Sequence, residues 1–187
     1  MTSFILFLCI LGFFHLSEFF LVYRYNRREL GWHSFLISKD YCLAMLLSVV
    51  EYWLEVWYAP WLKRLSWTTY AGVMLVILGE FIRKAAMITA GQNFTHLIAT
   101  FKYKQHILVT RGIYRYVRHP GYLGWFIWSI STQVVLANPI CLIIFSIVSW
   151  RFFATRIPFE EHYLTSFFGE QYRKYKSQTP TYLPFIH

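Results

Sequence analysis

The chain has 187 residues, of which 57% are apolar and only 14% are charged. Soluble domains carry roughly 25% charged residues, so the composition argues against an ordinary soluble enzyme and against a disordered chain. The formal net charge of +9 is compatible with nucleic acid or with an anionic membrane. The three cysteines, Cys9, Cys42 and Cys141, lie in apolar stretches without metal-ligand spacing. We therefore expect neither a disulfide framework nor a metal site.

Five stretches are candidates for membrane helices, because a spanning helix needs about 20 mostly apolar residues. In chain order they are 4–23, 41–60, 67–88, 122–136 and 140–153. The last two are short and only Ala137, Asn138 and Pro139 separate them, which predicts a tight helical hairpin. We predict an all-α, polytopic integral membrane protein with about five transmembrane helices, organised as a single domain over 1–187.

Basic residues cluster on one side of these predicted spans. Fourteen Lys and Arg lie in 24–40, 91–121 and 151–187, whereas the opposite side holds only Lys63 and Arg64. Because positively charged loops stay in the cytosol, we predict the N-terminus outside and the C-terminus inside. Topology and anionic lipid then account for the positive charge, and nucleic acid is not an expected partner. No basic residues precede the first span, so we expect it to be retained and not cleaved as a signal peptide.

Several charged residues fall inside the predicted spans, where exposure to lipid costs roughly 3 kcal/mol each on insertion scales. They are Glu18, Glu51, Glu55, Glu80 and Arg83. We expect these side chains to face the interior of the helix bundle. They could form a proton or ion path, or they could simply pair with one another, for example Glu80 with Arg83 or Lys84 one turn later.

Two predicted cytosolic segments, 91–121 and 151–187, contain the polar residues best placed for chemistry. In the first segment, Pro120 suits the first turn of the fourth helix. His119 would then cap a helix N-terminus, where a carboxylate or another anion is favoured. The alternative is an aromatic interfacial loop with an ordinary, hydrogen-bonded histidine.

In the second segment, Pro158 predicts a kink or a fresh helix start. If the helix continues, Arg156 and Glu160 lie one turn apart on one face, and they offer a guanidinium for a carboxylate and an acceptor for a hydroxyl or an amine. The same spacing fits a surface ion pair of little energetic consequence. The sequence contains no Walker A, G-x-G-x-x-G, G-x-S-x-G or H-E-x-x-H pattern.

A dense pattern of residues extends from Gly79 to Ile186. It includes Gly79-Glu80, Arg83-Lys84, His96, His106, Leu108-Val109-Thr110, Tyr114, Arg118-His119-Pro120, Tyr122, Asn138-Pro139, Arg156, Glu160-Glu161 and Phe167-Phe168-Gly169-Glu170. This pattern resembles the isoprenylcysteine carboxyl methyltransferases, and the first 78 residues match more loosely. Ala99 stands where such enzymes have a glutamine that contacts the cofactor.

The resemblance implies methyl esterification of the C-terminal carboxylate of a prenylated cysteine, farnesylated or geranylgeranylated, with S-adenosyl-L-methionine as methyl donor. It also implies a location in the endoplasmic reticulum membrane with the active site facing the cytosol. Arg156 would bind the substrate carboxylate. The cofactor would be bound by His106, Ile107, Leu108, Val109, Tyr114, His119, Pro120, Gly121, Tyr122 and Glu160, in segments 91–121 and 151–187.

Three alternatives remain open on the sequence. Phospholipid or amine N-methyltransferases share the His-Pro and paired-glutamate elements, and nicotinamide-dependent sterol reductases use a related fold. A non-catalytic membrane protein that binds prenyl chains or lipids is the third. Cofactor binding distinguishes this last alternative from the methyltransferases, and the base lability of a methyl ester distinguishes carboxyl from amine methylation.

Overall fold

The computed structural model describes residues 2–27, 30–64, 66–104 and 106–186, and these residues form six α-helices and no strand. The helices are α1 (Thr2–Tyr25), α2 (Lys39–Tyr58), α3 (Ser66–Ala90), α4 (Pro120–Leu136), α5 (Pro139–Phe168) and α6 (Glu170–Gln178). Short 3₁₀ turns lie at Trp32–Phe35, Leu62–Arg64, Gly91–Asn93 and Gly112–Arg115. The predicted all-α fold class is confirmed, including the hairpin between α4 and α5.

Within the described residues, three segments are long and apolar enough to cross a membrane, namely Thr2–Tyr25, Trp32–Tyr58 and Pro139–Phe168. Helix α4 has 17 residues, or about 25 Å at 1.5 Å per residue, which is shorter than the roughly 30 Å hydrocarbon core. Helix α3 contains charged residues in its second half. The count of five transmembrane helices therefore stays a prediction.

Helix α5 is longer than the sequence suggested. We expected a short span ending at residue 153 and a kink or a fresh helix start at Pro158, but a single helix runs through Pro158 to Phe168. The expectation of a fresh start is wrong because tertiary packing supports the helix across the proline. Ile157 lies in one apolar cluster with Leu183 and Ile186 of the C-terminal tail, and this burial offsets the backbone hydrogen bond that proline removes.

Helices α3 and α4 pack with their backbones in close approach at glycines. A Cβ atom added at Gly79 would lie 2.7 Å from the backbone nitrogen of Trp128, and one added at Gly124 would lie 2.6 Å from the backbone nitrogen of Arg83. Small residues allow such contacts between membrane helices. The result is that Arg83 lies directly against the first turns of α4.

Side chains from α2 and from the turn that follows it bind the connection between α4 and α5. The Glu51 carboxylate accepts hydrogen bonds from the backbone nitrogens of Ile140 (2.7 Å) and Cys141 (2.6 Å), at a helix end that favours negative charge. Lys63 Nζ lies 2.5 Å from Glu55 and donates to two carbonyl oxygens at the end of α4. Both predicted intramembrane glutamates of α2 therefore have structural partners.

The close approach of α3 and α4 generates a stability prediction. Gly124→Ala should destabilise the protein by about 1–3 kcal/mol through overpacking, because the new Cβ would meet backbone atoms that cannot rotate away. The measurement is the thermal unfolding midpoint in detergent. The control is Gly12→Ala, since a Cβ at Gly12 meets nothing within 4 Å. An unchanged midpoint for Gly124→Ala would contradict the prediction.

Candidate functional site

An open cavity lies between the start of α4, the second half of α5, α6 and the loop that joins α3 to α4. Nine of the ten predicted cofactor residues line it, namely Ile107, Leu108, Val109, Tyr114, His119, Pro120, Gly121, Tyr122 and Glu160. The tenth, His106, lines an adjoining pocket together with Ala99 and Phe167. The fold thus brings these residues together from two distant segments, and their binding of a cofactor stays a prediction.

Tyr122 connects the two functional side chains predicted on α5. Its hydroxyl donates a hydrogen bond to Glu160 Oε2 at 2.5 Å and accepts one from Arg156 Nε at 2.9 Å. Among the described residues no direct ion pair joins Arg156 to Glu160, so the alternative of a simple surface pair is wrong. The Tyr122 hydroxyl lies between Arg156 and Glu160 because α4 packs against the face of α5 that carries these two residues.

The guanidinium of Arg156 is oriented by a second acceptor. Its Nη2 donates to the backbone carbonyl oxygen of His96 at 2.6 Å, and the group lies 5.5 Å from the ring centres of both Tyr122 and Phe152. Within the described part of the chain, Nη1 of Arg156 has no acceptor. A half-buried guanidinium with one free edge is well suited to bind a carboxylate.

The loop that contains His96 is anchored to the carboxylate of Glu18, which is fully buried. Arg83 donates to both oxygens of Glu18 at 2.8 Å, Lys84 Nζ lies at 2.7 Å, and His96 Nε2 lies at 2.9 Å. Burial lowers the pKa of His96, so its ring binds Glu18 as a neutral donor. Of the pairings expected for Glu80, the one with Lys84 forms at 3.2 Å, whereas Arg83 turns to Glu18 instead.

Arg83 also extends this cluster to the cavity. Its Nη1 donates to the backbone carbonyl oxygen of Gly121 at 2.9 Å, in the first turn of α4. From the end of α1, Asn26 donates to the carbonyl oxygen of Phe94 at 3.0 Å. The N-terminal helix therefore positions both the loop that contacts Arg156 and the start of α4.

His119 caps the N-terminus of α4 by position, and its side chain binds a carboxylate of α5. It is the N-cap residue of α4 by position, but its side chain makes no capping hydrogen bond. Instead Nε2 lies 3.0 Å from Glu161 Oε1, and Arg118 Nε donates to the same oxygen at 2.5 Å. The predicted N-cap position of His119 is confirmed, while its ring pairs with a carboxylate of α5 and does not accept from the backbone N–H groups of α4.

Several cavity residues were not identified from the sequence. Leu164 and Phe168 follow Glu160 at intervals of four, and this helical spacing was a usable signal because it places all three on one face of α5. The remaining residues come from the last residue of α3, from the α3–α4 loop and from α6, which helical spacing from Glu160 does not reach. These are Ala90, Asn93, Phe94, Thr95, Arg118, Tyr172 and Tyr175.

Comparisons with known proteins identify relatives of this chain. A model of the isoprenylcysteine carboxyl methyltransferase family matches residues 72–166. The chain is 50% identical over 176 residues to protein-S-isoprenylcysteine O-methyltransferase B of Arabidopsis thaliana, covering 94% of this chain and 89% of the relative. It is 46% identical over 182 residues to the Homo sapiens protein-S-isoprenylcysteine O-methyltransferase, of which it spans 64%.

A solved structure is also similar to this chain. It is described as the eukaryotic intramembrane Ras methyltransferase ICMT, and it superposes with a TM-score of 0.96 at 42% identity. The match covers 98% of this chain and 67% of the other. The similarity therefore includes the N-terminal helices and the C-terminal tail as well as the cavity.

The buried Glu18 cluster generates a second stability prediction. Glu18→Ala should cost about 3–5 kcal/mol, because it leaves Arg83 buried without a counter-ion. Glu170→Ala serves as the control, since it removes the carboxylate of an exposed ion pair on α6 and should change stability by less than about 1 kcal/mol. Unfolding midpoints in the same detergent measure both. Equal small effects would show that the Glu18 cluster contributes little.

Proposed function

This chain belongs to the isoprenylcysteine carboxyl methyltransferase family, and from that premise we propose that it methylates the C-terminal carboxylate of a prenylated cysteine. The methyl donor in this proposal is S-adenosyl-L-methionine. The observation that carries the proposal is Arg156, which has a free guanidinium edge and donates to the hydroxyl of Tyr122, a residue that lines the same cavity as Glu160. The Arg156 guanidinium suits an anionic methyl acceptor, and the Glu160 carboxylate suits a cationic methyl donor.

The residues of the cavity fit this cofactor. Glu160 has a partly exposed carboxylate that opposes a sulfonium or ammonium charge, while Leu108, Val109 and Phe168 provide an apolar wall for a nucleobase. Burial raises the pKa of Tyr114, so its neutral ring and hydroxyl add an aromatic surface. When bound, the cofactor supplies a methyl group that is already activated by the positive sulfonium.

No general base is needed on the acceptor side. An α-carboxyl group has a reference pKa of about 3.5, so the substrate is already an anion at neutral pH. The protein has to orient that anion, exclude water and bring it close to the donor. Arg156 would bind one part of the carboxylate through Nη1, while Tyr122 and the His96 carbonyl keep the guanidinium in place.

The membrane setting supports a lipid-modified substrate. The helices α1, α2 and α5 expose large apolar side chains along much of their length, as lipid-facing helices do. A farnesyl or geranylgeranyl chain would reach the site laterally from the bilayer, with its terminal carboxylate at Arg156. We place the site at the cytosolic face of the endoplasmic reticulum membrane, on the basis of the positive-inside asymmetry and of the family.

The decisive experiment uses the purified chain in liposomes with methyl-labelled S-adenosyl-L-methionine and a farnesylated cysteine analogue. Label released as methanol by base identifies a methyl ester. Arg156→Ala should lower this turnover at least about 100-fold, since one charged contact made in the transition state is worth roughly 3 kcal/mol. The affinity for S-adenosyl-L-homocysteine should stay within about threefold, because Arg156 contacts the acceptor.

Two outcomes would contradict the proposal. Base-stable label on a lipid amine would indicate the N-methyltransferase alternative, and no transfer by folded wild-type protein that binds the cofactor would indicate a different acceptor. Concurrent loss of cofactor binding and turnover in Arg156→Ala would refute only the division of roles. When the same affinity for S-adenosyl-L-homocysteine is measured for Glu160→Gln, we expect it to be weaker than in the wild type.

Tyr122→Phe tests the connection between Arg156 and Glu160. The change removes the hydroxyl that bonds to both side chains but keeps the ring. We expect a fall in kcat/KM for the prenylated substrate of roughly tenfold, because a misoriented guanidinium stabilises the transition state less well. Tyr116→Phe is the matched control, since Tyr116 is exposed and lies outside the cavity lining. Equal kinetics for both variants would contradict the assignment.

A further inference from the structure

Arg118 has a buried guanidinium nitrogen that the fold leaves without a partner. Its side chain is only 3% exposed, and the residue lines the cavity. Nε donates to Glu161 at 2.5 Å and Nη1 donates to the carbonyl oxygen of Thr179 at 2.5 Å. Nη2 has no hydrogen-bonding partner within the described residues. A buried, charged donor is unfavourable in this state unless a ligand supplies the acceptor.

The charges around Arg118 leave a positive surplus at this end of the cavity. The Glu161 carboxylate faces Arg118 at 2.5 Å and Lys176 Nζ at 2.6 Å, so two permanent cations contact one anion. Burial, and then the proximity of Glu161, raise the pKa of Tyr172, whose side chain lines the same cavity. That phenol therefore stays neutral and adds no negative charge. An anionic ligand group would balance the surplus.

The first turn of α4 favours an anion at the same place. The helix begins at Pro120, and both Pro120 and Gly121 line the cavity. Pro120 has no backbone N–H, and the N–H of Tyr122 donates to the carbonyl oxygen of His119 at 3.1 Å, which among the described residues leaves the N–H of Gly121 for a ligand. The helix dipole adds partial positive charge at this end. Arg118 lies two residues before Pro120, and it lines the same cavity as Pro120 and Gly121.

The cavity also has a group of opposite sign. Glu160 lines it, and its carboxylate accepts from the neutral hydroxyl of Tyr122 and lies 3.8 Å from His119 Nδ1, while its side chain keeps 27% of its surface exposed. The lining thus contains one acidic residue and one basic residue with spare bonding capacity. The amino-acid end of S-adenosyl-L-methionine is a zwitterion with a positive ammonium, a positive sulfonium nearby and a negative α-carboxylate, and it matches both.

We propose that Arg118 binds the α-carboxylate of the cofactor's amino-acid portion through Nη2, beside the first turn of α4. This inference rests on the proposed function, because it takes S-adenosyl-L-methionine as the methyl donor. Arg118 and Arg156 then bind different carboxylates, one on the donor and one on the acceptor. No bond is made or broken at Arg118, so its effect is expected on binding.

The test compares two ligands that differ only in that carboxylate. One is S-adenosyl-L-homocysteine, and the other is its decarboxylated counterpart, which keeps the adenosine, the sulfur and the ammonium. Titration calorimetry on the full chain in detergent gives the ratio of their affinities. Arg118→Gln should lower the affinity for S-adenosyl-L-homocysteine by about 10- to 100-fold, as expected for a lost charge-assisted hydrogen bond. The decarboxylated ligand should bind within about threefold of its wild-type affinity.

Two further variants control for a structural effect. Arg118 also binds the C-terminal tail through Thr179, so Arg118→Gln could unfold the chain. Arg118→Lys retains the charge without the guanidinium fork, so its ratio of affinities for the two ligands should fall between those of the wild type and Arg118→Gln. If Arg118→Gln does not fold, the comparison of Arg118→Lys with the wild type is the test. Arg173→Gln makes the same substitution at an exposed arginine of α6 and should leave the ratio unchanged.

The outcomes separate this inference from the proposed function. A parallel loss for both ligands in the Arg118 variants, or a wild type that does not distinguish them, overturns the inference even if the wild type forms the methyl ester. If the affinity for S-adenosyl-L-homocysteine relative to that for the decarboxylated ligand falls in the Arg118 variants, the inference is supported even if no ester forms in liposomes. If the folded wild type binds neither ligand, the proposed cofactor and this inference both fail.

Discussion

The buried contact between Glu18 and Arg83 is the interaction on which the rest of the site depends. The Glu18 carboxylate is fully buried and the Arg83 guanidinium is almost fully buried. Two parallel hydrogen bonds of 2.8 Å between them offset the cost of removing both charges from water. Each partner has bonding capacity left over. Arg83 uses it on the carbonyl of Gly121, and Glu18 uses it on His96.

These two extensions reach opposite parts of the functional site. The Gly121 carbonyl belongs to the first turn of α4, which lines the cavity, and the His96 carbonyl is one of the two acceptors that orient Arg156. One ionic cluster therefore positions groups proposed to act on the donor and on the acceptor. The glycine contacts between α3 and α4 allow this, since a Cβ at Gly124 would displace the backbone of Arg83.

The second organising element is the paired glutamates of α5. Adjacent residues on a helix point about 100° apart, so Glu160 and Glu161 face different surroundings. Glu160 lines the cavity and bonds to Tyr122, whereas Glu161 is surrounded by Arg118, His119 and Lys176. One member of the pair is free to meet a ligand. The other joins the C-terminal segment to the loop before α4.

The amino-acid sequence by itself determined the all-α fold class, the hairpin and the segments of the site. Apolar stretches with sparse charges predict helices, and Arg156 and Glu160 share a face if the helix continues past Pro158. Nine of the ten residues assigned to the cofactor through the family resemblance line one cavity. The resemblance was sufficient to locate them because these residues lie in two short segments, whereas spacing alone left ordinary structural roles open.

Only the tertiary structure decided the partners of the charged residues. Glu18 meets Arg83 and His96 across 65 and 78 residues of chain, and no local periodicity reports such a contact. The same holds for Tyr122 between Arg156 and Glu160, and for Arg118, whose free nitrogen exists because the tail and Glu161 occupy the rest of its guanidinium. Backbone hydrogen bonding is local and can be predicted from sequence pattern, whereas the pairing of buried charges depends on which helices pack together.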